Sequence, residues 1–384
     1  MSIYLDHSAT TPIIEPVRLV IESMLTENFG NPSSLHKLGL NAEKAIKQAR
    51  KQIAECVKAS DRNVIFTSGG TEANNLAIFG SIRKERGRLI TTSFEHPSVL
   101  KVMEHLETEG YDVVYLDIDQ DGQISIEQLK DALNDQTQLV SIMYVNNEIG
   151  SIQPINKIGA IIAEYNKENH KKIKFHVDAI QAFGKLKIDI EDAEIDLLSI
   201  SSHKINGLKG TGALVLKDTL EVKPMFFGGG QERAIRPGTE NIVGIVAFGK
   251  AAEVANSKID LHWKHVTCLK NKMVEILNGN SDIIVNGKGH ISPYILSASF
   301  LGVKGEVMLH SLETSKIYVS TGSACNSKKQ SFSHVLKALK LPDLQIDGTL
   351  RISFSALNTE AEIEIAGNKM VSDYMMIKKM IKRR

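Results

Sequence analysis

The chain reads as an α/β protein, a mainly parallel sheet flanked by helices and followed by a smaller α+β unit. Three observations lead there. Short apolar, β-rich runs alternate with stretches whose apolar residues recur at helical spacing as far as about Ala251. Most of these runs end in a polar cluster. Beyond Ala251 the texture changes to one long amphipathic stretch and then further strands.

The elements follow in order. Ala42, Ala45, Ile46, Ala49, Ile53 and Val57 predict a helix from about Asn41 to Val57. "NVIFTSGGTEANNLAIFG" passes from a strand through glycines into a helix. The same alternation returns in "RLITTSFEHPSV", "DVVYLDID", "QLVSIMYVNNEIG", "IKFHVDAIQAFG" and "DLLSISSHK", with helical segments at Glu127–Leu133 and Ile155–Tyr165 between them. Strands separated by helices pair in parallel and are covered on both faces. In such sheets ligands bind beyond the carboxyl ends of the strands, where these polar clusters fall. Later come the helix "LHWKHVTCLKNKMVEIL" and strands near Ile295–Phe300, Ile317–Val319 and Leu350–Phe354. The expected division is a large unit over 14–251 and a small one made of 1–13 with 252–384. The basic end, "MMIKKMIKRR", fits cations gathered at a helix C-terminus.

Composition narrows the function. With 384 residues, 42% of them hydrophobic, the chain can bury a large core. Lys+Arg 46 against Asp+Glu 45 leaves a formal charge of +1, which offers no global attraction for nucleic acid or a membrane surface. No apolar run approaches the roughly 20 residues that span a bilayer. "MSIYLDHSATTP" lacks the basic-then-apolar order of a signal peptide and reads as part of the fold. Three scattered cysteines form neither a disulfide framework nor a CxxC pair, so a reducing, cytoplasmic setting is expected. Cys56 keeps helical spacing with Ala49 and Ile53 and reads as core. Cys325, among small and polar residues in "STGSACNSKKQSF", reads as an accessible thiol.

Each polar cluster has an ordinary reading beside a chemical one. In "TSGGTEANN" the glycines let an anion approach the backbone, and the following helix presents free N–H groups to it. Tight turns also use glycine for geometry alone, and the segment lacks both the Walker lysine and GxGxxG. His96, before Pro97, is by itself a helix cap. Asp178, ending an apolar strand, either caps a helix or meets a cation, since a lone buried carboxylate is costly. Lys204 follows Ser201, Ser202 and His203 after a buried strand, and an amine beside apolar walls can condense with an aldehyde. Together these make the provisions a phosphorylated pyridine aldehyde requires: a Schiff-base lysine, a carboxylate for the ring nitrogen and a phosphate cup.

On "YLDHSATTP", "FGNPSSLH", "TSGGTEANN", "EHPSV", "VNNEIG", "HVDAIQ", "SSHK", "GGGQERAIRPGTEN" and "GSAC", in that order along nearly the whole chain, the sequence resembles the NifS/IscS-type cysteine desulfurases. These belong to the class-V aminotransferase family, pyridoxal 5'-phosphate enzymes of fold type I. The resemblance implies that Lys204 carries the cofactor, Asp178 pairs with the ring nitrogen, and His96 stacks on the ring and assists proton transfer. It implies that Asn147 and Gln181 hydrogen-bond near the ring oxygen and that Gly70, Thr71, Ser201 and His203 cup the phosphate. Thr239 would reach the phosphate of the other subunit, which makes a homodimer. Arg351 would grip the carboxylate of L-cysteine, and Cys325 would take its sulfur as a persulfide, leaving L-alanine. A sulfur-acceptor protein, such as an iron–sulfur scaffold or a tRNA thiolase, would complete the reaction, with no metal, direct nucleic-acid or membrane partner. The chain departs from the common wording at Ser202, Leu208 and the basic run 326–330.

Three other readings compete, one of them a non-catalytic scaffold that kept the fold and lost the chemistry, against which every expected polar group is present. A selenocysteine lyase, or another aminotransferase-like enzyme of the fold, would keep Lys204 and Asp178, though transamination gives Cys325 no role. His176, Asp178 and His203 imitate the H-x-D…H set of non-haem iron, which leaves Lys204 and Arg351 unexplained.

Overall fold

The computed structural model describes residues 2–83, 85–217, 220–321 and 332–381. Twelve strands are defined among them: β1 (Ile3–Tyr4), β2 (Val64–Thr67), β3 (Arg88–Thr92), β4 (Asp112–Leu116), β5 (Thr137–Met143), β6 (Lys174–Asp178), β7 (Leu197–Ser201), β8 (Gly212–Leu216), β9 (Ile283–Asn286), β10 (Ile295–Phe300), β11 (Ile317–Tyr318) and β12 (Thr349–Ser353).

Seven of these form the large sheet, in the order β2-β8-β7-β6-β5-β3-β4. From β7 to β4 every pairing is parallel, as the strand–helix alternation predicts. β8 is the exception, antiparallel to both β7 and β2. The link from Ser201 to Gly212 is too short for a crossover helix, so the chain can only turn back beside β7. Two reversals restore the direction, and β2 therefore runs the same way as β7. Its carboxyl end joins those of β3, β5, β6 and β7 on one rim.

The strand interiors are apolar and buried: Leu139, Val140, Ile142, Phe175, Val177, Leu197, Leu198 and Ile200 are all fully enclosed. Each such side chain contributes about 1.5–3 kcal/mol relative to exposure. That is ample to carry a few polar residues provided these satisfy one another. His176 does so: Nδ1 meets Ser141 Oγ at 2.8 Å and Nε2 meets Ser199 Oγ at 2.9 Å, across three adjacent strands. Both ring nitrogens are engaged, which overturns the iron-site reading of His176, Asp178 and His203.

The expected first long helix runs over Lys37–Glu55, four residues ahead of its predicted start, because the His36 ring accepts from the Gly39 N–H and caps it. Cys56 closes that helix half-buried rather than in the core, its thiol pushed up to about 12 by burial.

β9, β10 and β12 make a small antiparallel sheet, while β1 pairs in parallel with β11. The N-terminal strand is thus folded against the last third of the chain. Asp6 bridges Ser353, and the Ser8 N–H donates to Ser353 Oγ at 2.9 Å. These contacts hold residues 6–11 over the rim of the large sheet. Among the described residues no helix is long and apolar enough to cross a membrane.

Candidate active site

Five strand ends converge on the rim. After β2, Gly69 adopts φ 153°, a conformation that favours glycine, and opens the helix Gly70–Ser81 without a side-chain cap. The first-turn N–H groups therefore face an open position suited to an anion. A Cβ on Gly70 would stand 2.1 Å from Ile180 Cδ1 and 3.8 Å from Ser201 Cβ, so a larger residue there would have to displace the Ile180 side chain. Ser201 Oγ is buried there with no hydrogen-bond partner. Thr71, the next residue, is exposed.

After β7, the Thr11 N–H and hydroxyl both donate to the His203 carbonyl, at 3.0 and 2.8 Å, and His203 Nδ1 meets Thr10 Oγ1 at 3.2 Å. Burial, aided by Lys204, Lys209 and Lys185, lowers this imidazole to about 4, so it is neutral. Lys204 extends its amine onto the carbonyls of Ser8 and Ala9, the latter at 2.7 Å.

Asp178 ends β6, fully buried. Asn74 Nδ2 donates to Oδ2 at 2.8 Å and the Ile180 N–H to Oδ1 at 3.0 Å. Burial raises its carboxyl above the ordinary range, while His96, the Ile180 N–H, Asn74 and Lys204 pull the other way. A buried carboxylate with cations nearby and no ion-pair partner among the described residues is ready for a protonated ring nitrogen. His96 follows β3 and caps the helix Pro97–Thr108, its Nδ1 accepting from the Ser98 N–H at 3.1 Å. Burial lowers its pKa, with Asp178 opposing and Lys204 and His334 reinforcing. The cap reading holds, and the cap uses Nδ1 alone.

Asn147, after β5, accepts at its carbonyl from Arg351 Nη1 at 3.1 Å, and Arg351 Nη2 donates to Asp6 Oδ1 at 2.8 Å. Arg351 lies almost wholly buried on β12, its Nε without a partner. Gln181 donates from Nε2 to the Ser8 carbonyl at 3.0 Å. Thr239 lies exposed ahead of the helix Ile242–Asn256. Cys325 falls outside the described residues.

Several participants have no signal in the sequence. Asn74 ties Asp178 to Ser98. Glu95 is fully buried, its carboxyl pushed up to about 8 by burial, and accepts at Oε1 from Thr92 Oγ1 and the Met143 N–H, both at 2.8 Å. Its carbonyl meets His334 Nε2 at 2.8 Å, and the buried Glu148 accepts from Ser333 Oγ at 2.5 Å. Asp6, Ser8 and Ala9 act largely through contacts made across the chain.

Residues 3–365 match the model of the aminotransferase class-V family. The chain belongs to that family. Within it, the sequence is 43% identical to the putative cysteine desulfurase IscS 1 of Bacillus subtilis strain 168, over 97% of this chain and 98% of that one. A solved NifS-like protein superposes with TM-score 0.91 at 33% identity, covering 98% of this chain and 100% of that one. SspA, solved in complex with cysteine, superposes with TM-score 0.81 at 35% identity over 93% and 100%. The α/β architecture is that of the class-V aminotransferases, which are pyridoxal-phosphate enzymes.

The residues present fit that cofactor. An uncapped helix start beside the unpartnered Ser201 hydroxyl suits a phosphate, and the buried Asp178 suits a ring nitrogen. Lys204 supplies the amine.

Proposed function

We propose that this protein is a cysteine desulfurase, removing sulfur from L-cysteine to give L-alanine and a persulfide on Cys325. The observation that carries the reading is the convergence of the Lys204 amine, the buried Asp178 carboxylate and the uncapped helix start at Gly70 on one rim. Bound pyridoxal phosphate supplies a carbonyl that amines attack and a ring that withdraws electrons from the substrate's Cα.

The chain's own groups do the rest. Gly70, Thr71, Ser201 and His203 hold the phosphate, and Asp178, held by Asn74, keeps the ring nitrogen protonated. Asn147 and Gln181 would hydrogen-bond near the ring oxygen. Lys204 would hold the cofactor through Nζ and serve as the base for the Cα proton of cysteine. His96 would stack on the ring, its Nε2 available to move protons. Arg351, oriented by Asp6 and the Asn147 carbonyl, grips the substrate carboxylate with its guanidinium fork. Cys325, as thiolate, attacks the substrate sulfur. The Cβ–S bond breaks with its electron pair left on the carbon skeleton, an S–S bond forms, and the skeleton gains protons and leaves as alanine.

The active form in this reading is a homodimer in which Thr239 reaches the partner's phosphate. The division into 14–251 and 1–13 with 252–384 puts the cofactor on the large unit and both Arg351 and Cys325 on the small one. We take the setting as the reducing cytoplasm, and the persulfide's destination as an acceptor protein of iron–sulfur cluster assembly or thiolation.

Borohydride reduction of the loaded enzyme followed by peptide mass spectrometry is expected to find a pyridoxyl group on Lys204. Cys325→Ala is expected to abolish thiol-dependent sulfide release from cysteine. An unmodified Lys204 peptide, or full sulfur transfer by the Cys325→Ala variant, would sink the reading.

A further inference from the structure

Lys185 is a buried amine that the proposed chemistry does not use. It follows β6 in the turn that carries Gln181, and its Nζ donates to Gln181 Oε1 at 3.1 Å. The ammonium also lies over the Tyr294 ring, 5.3 Å from the centroid. Among the described residues no carboxylate pairs with it. The other titratable groups that sense it are His7, His203 and Lys204. Burial, with Lys204 adding to it, lowers this lysine to about 7. Burying an unpaired amine is costly, and so invites a reason beyond stability.

Gln181 supplies the reason. A glutamine amide has nearly the same shape in its two flipped orientations, so only its hydrogen-bond partners choose between them. With Lys185 donating to Oε1, Nε2 points the other way and donates to the Ser8 carbonyl, which also accepts from Lys204. The flipped amide would set N–H groups against the Lys185 amine and oxygen against the Ser8 oxygen, clashing at both ends. A methionine of similar length would impose no such choice.

We propose that Lys185 is a positioning residue that locks the Gln181 amide with its N–H donors facing the Lys204 amine, so that Gln181 donates to an oxygen anion of the ligand bound there. The inference rests on the cysteine-desulfurase reading for the identity of that ligand, the ring oxygen of pyridoxal phosphate. A fixed donor at that oxygen lowers the proton affinity of the adjoining nitrogen of Lys204. Losing the donor raises it.

The test is the pH midpoint of the visible absorbance of pyridoxal-phosphate-loaded enzyme, measured with the melting temperature for the wild type, Lys185→Met, Lys185→Arg, Gln181→Ala and the Gln181→Ala/Lys185→Met double variant. Lys185→Met is expected to move the midpoint up by about one pH unit, roughly a tenfold change in proton affinity. Lys185→Arg, which keeps a donor, is expected to recover at least half of that shift. In the Gln181→Ala background the Lys185→Met shift is expected to shrink by half or more. An unmoved midpoint in Lys185→Met, whatever its melting temperature, would overturn the proposal. So would an Arg variant that recovers less than half, since packing rather than the donor would then set the shift, or a shift that keeps more than half its size without Gln181, since Lys185 would then act through its charge or its packing. A wild type with no visible band that borohydride bleaches rejects the cysteine-desulfurase reading itself. A normal wild-type band with an unmoved Lys185→Met midpoint rejects only the role of Lys185.

Discussion

The two halves of the site are built differently. On the cofactor side, Asp178, Asn74 and Ser201 sit buried at strand ends and a helix start of one sheet, with Gly70 half-buried beside them. On the substrate side, Arg351 is aimed by Asp6, 345 residues away in sequence, and by the Asn147 carbonyl. The first half inherits its geometry from sheet register. The second depends on the chain ends meeting over the rim. In the proposed reading, charge on the cofactor side is held by burial and fixed donors, whereas on the substrate side the Asp6 carboxylate lies on the guanidinium that would take the substrate. That difference would separate a platform for one bound ligand from a grip for each new molecule.

Asp178→Asn strikes the platform and is expected to have the largest effect. The amide keeps the shape but cannot hold a ring nitrogen protonated. A fall in kcat of about 10²–10⁴-fold is expected, with the fold intact by circular dichroism. A loss under tenfold would mean the platform is not organised around this carboxylate. Arg351→Lys strikes the grip. Losing the planar fork is expected to raise KM for cysteine about 10–100-fold with little change in cofactor affinity. Loosened cofactor would show that the two halves are not separable.

Glu95 tests how deeply the platform is buried, with the smallest effect. Its folded pKa, about 8, lies above the usual value near 4.5. The folded state thus holds a proton that the unfolded chain releases, and the stability this contributes is complete below about pH 4.5. It is lost as pH rises towards 8. Glu95→Gln, neutral throughout, is expected to lack that decline. Urea unfolding from pH 5 to 8 is expected to show the wild type losing about 1 kcal/mol or more relative to the variant. Parallel stability curves would show that Glu95 is ionised in the fold.

Much of the platform was legible because strand periodicity marks where a buried run stops, and Asp178 and Lys204 stand at such stops. β8 was not read as a strand running backwards, since an apolar run carries no mark of direction. The ten-residue link from Ser201 was the available clue. Asn74 reads as any polar residue of a helix. Glu95 and Lys185 read as surface charges, because nothing local says that a charged residue is buried. Ser8 and Ala9 act through backbone carbonyls, which every residue has.

The order of apolar and polar residues by itself determined the alternating strands and helices, and the motifs at the strand ends carried the resemblance to the family. Those are properties of short stretches, set by periodicity and by residue type at strand ends. Tertiary structure alone decided that the Lys204 amine rests on the carbonyls of Ser8 and Ala9, that Asp6 aims Arg351, and that Lys185 is buried against Gln181. Burial and long-range pairing arise only when distant segments pack, and it is packing that turns an ordinary charge into a constrained one.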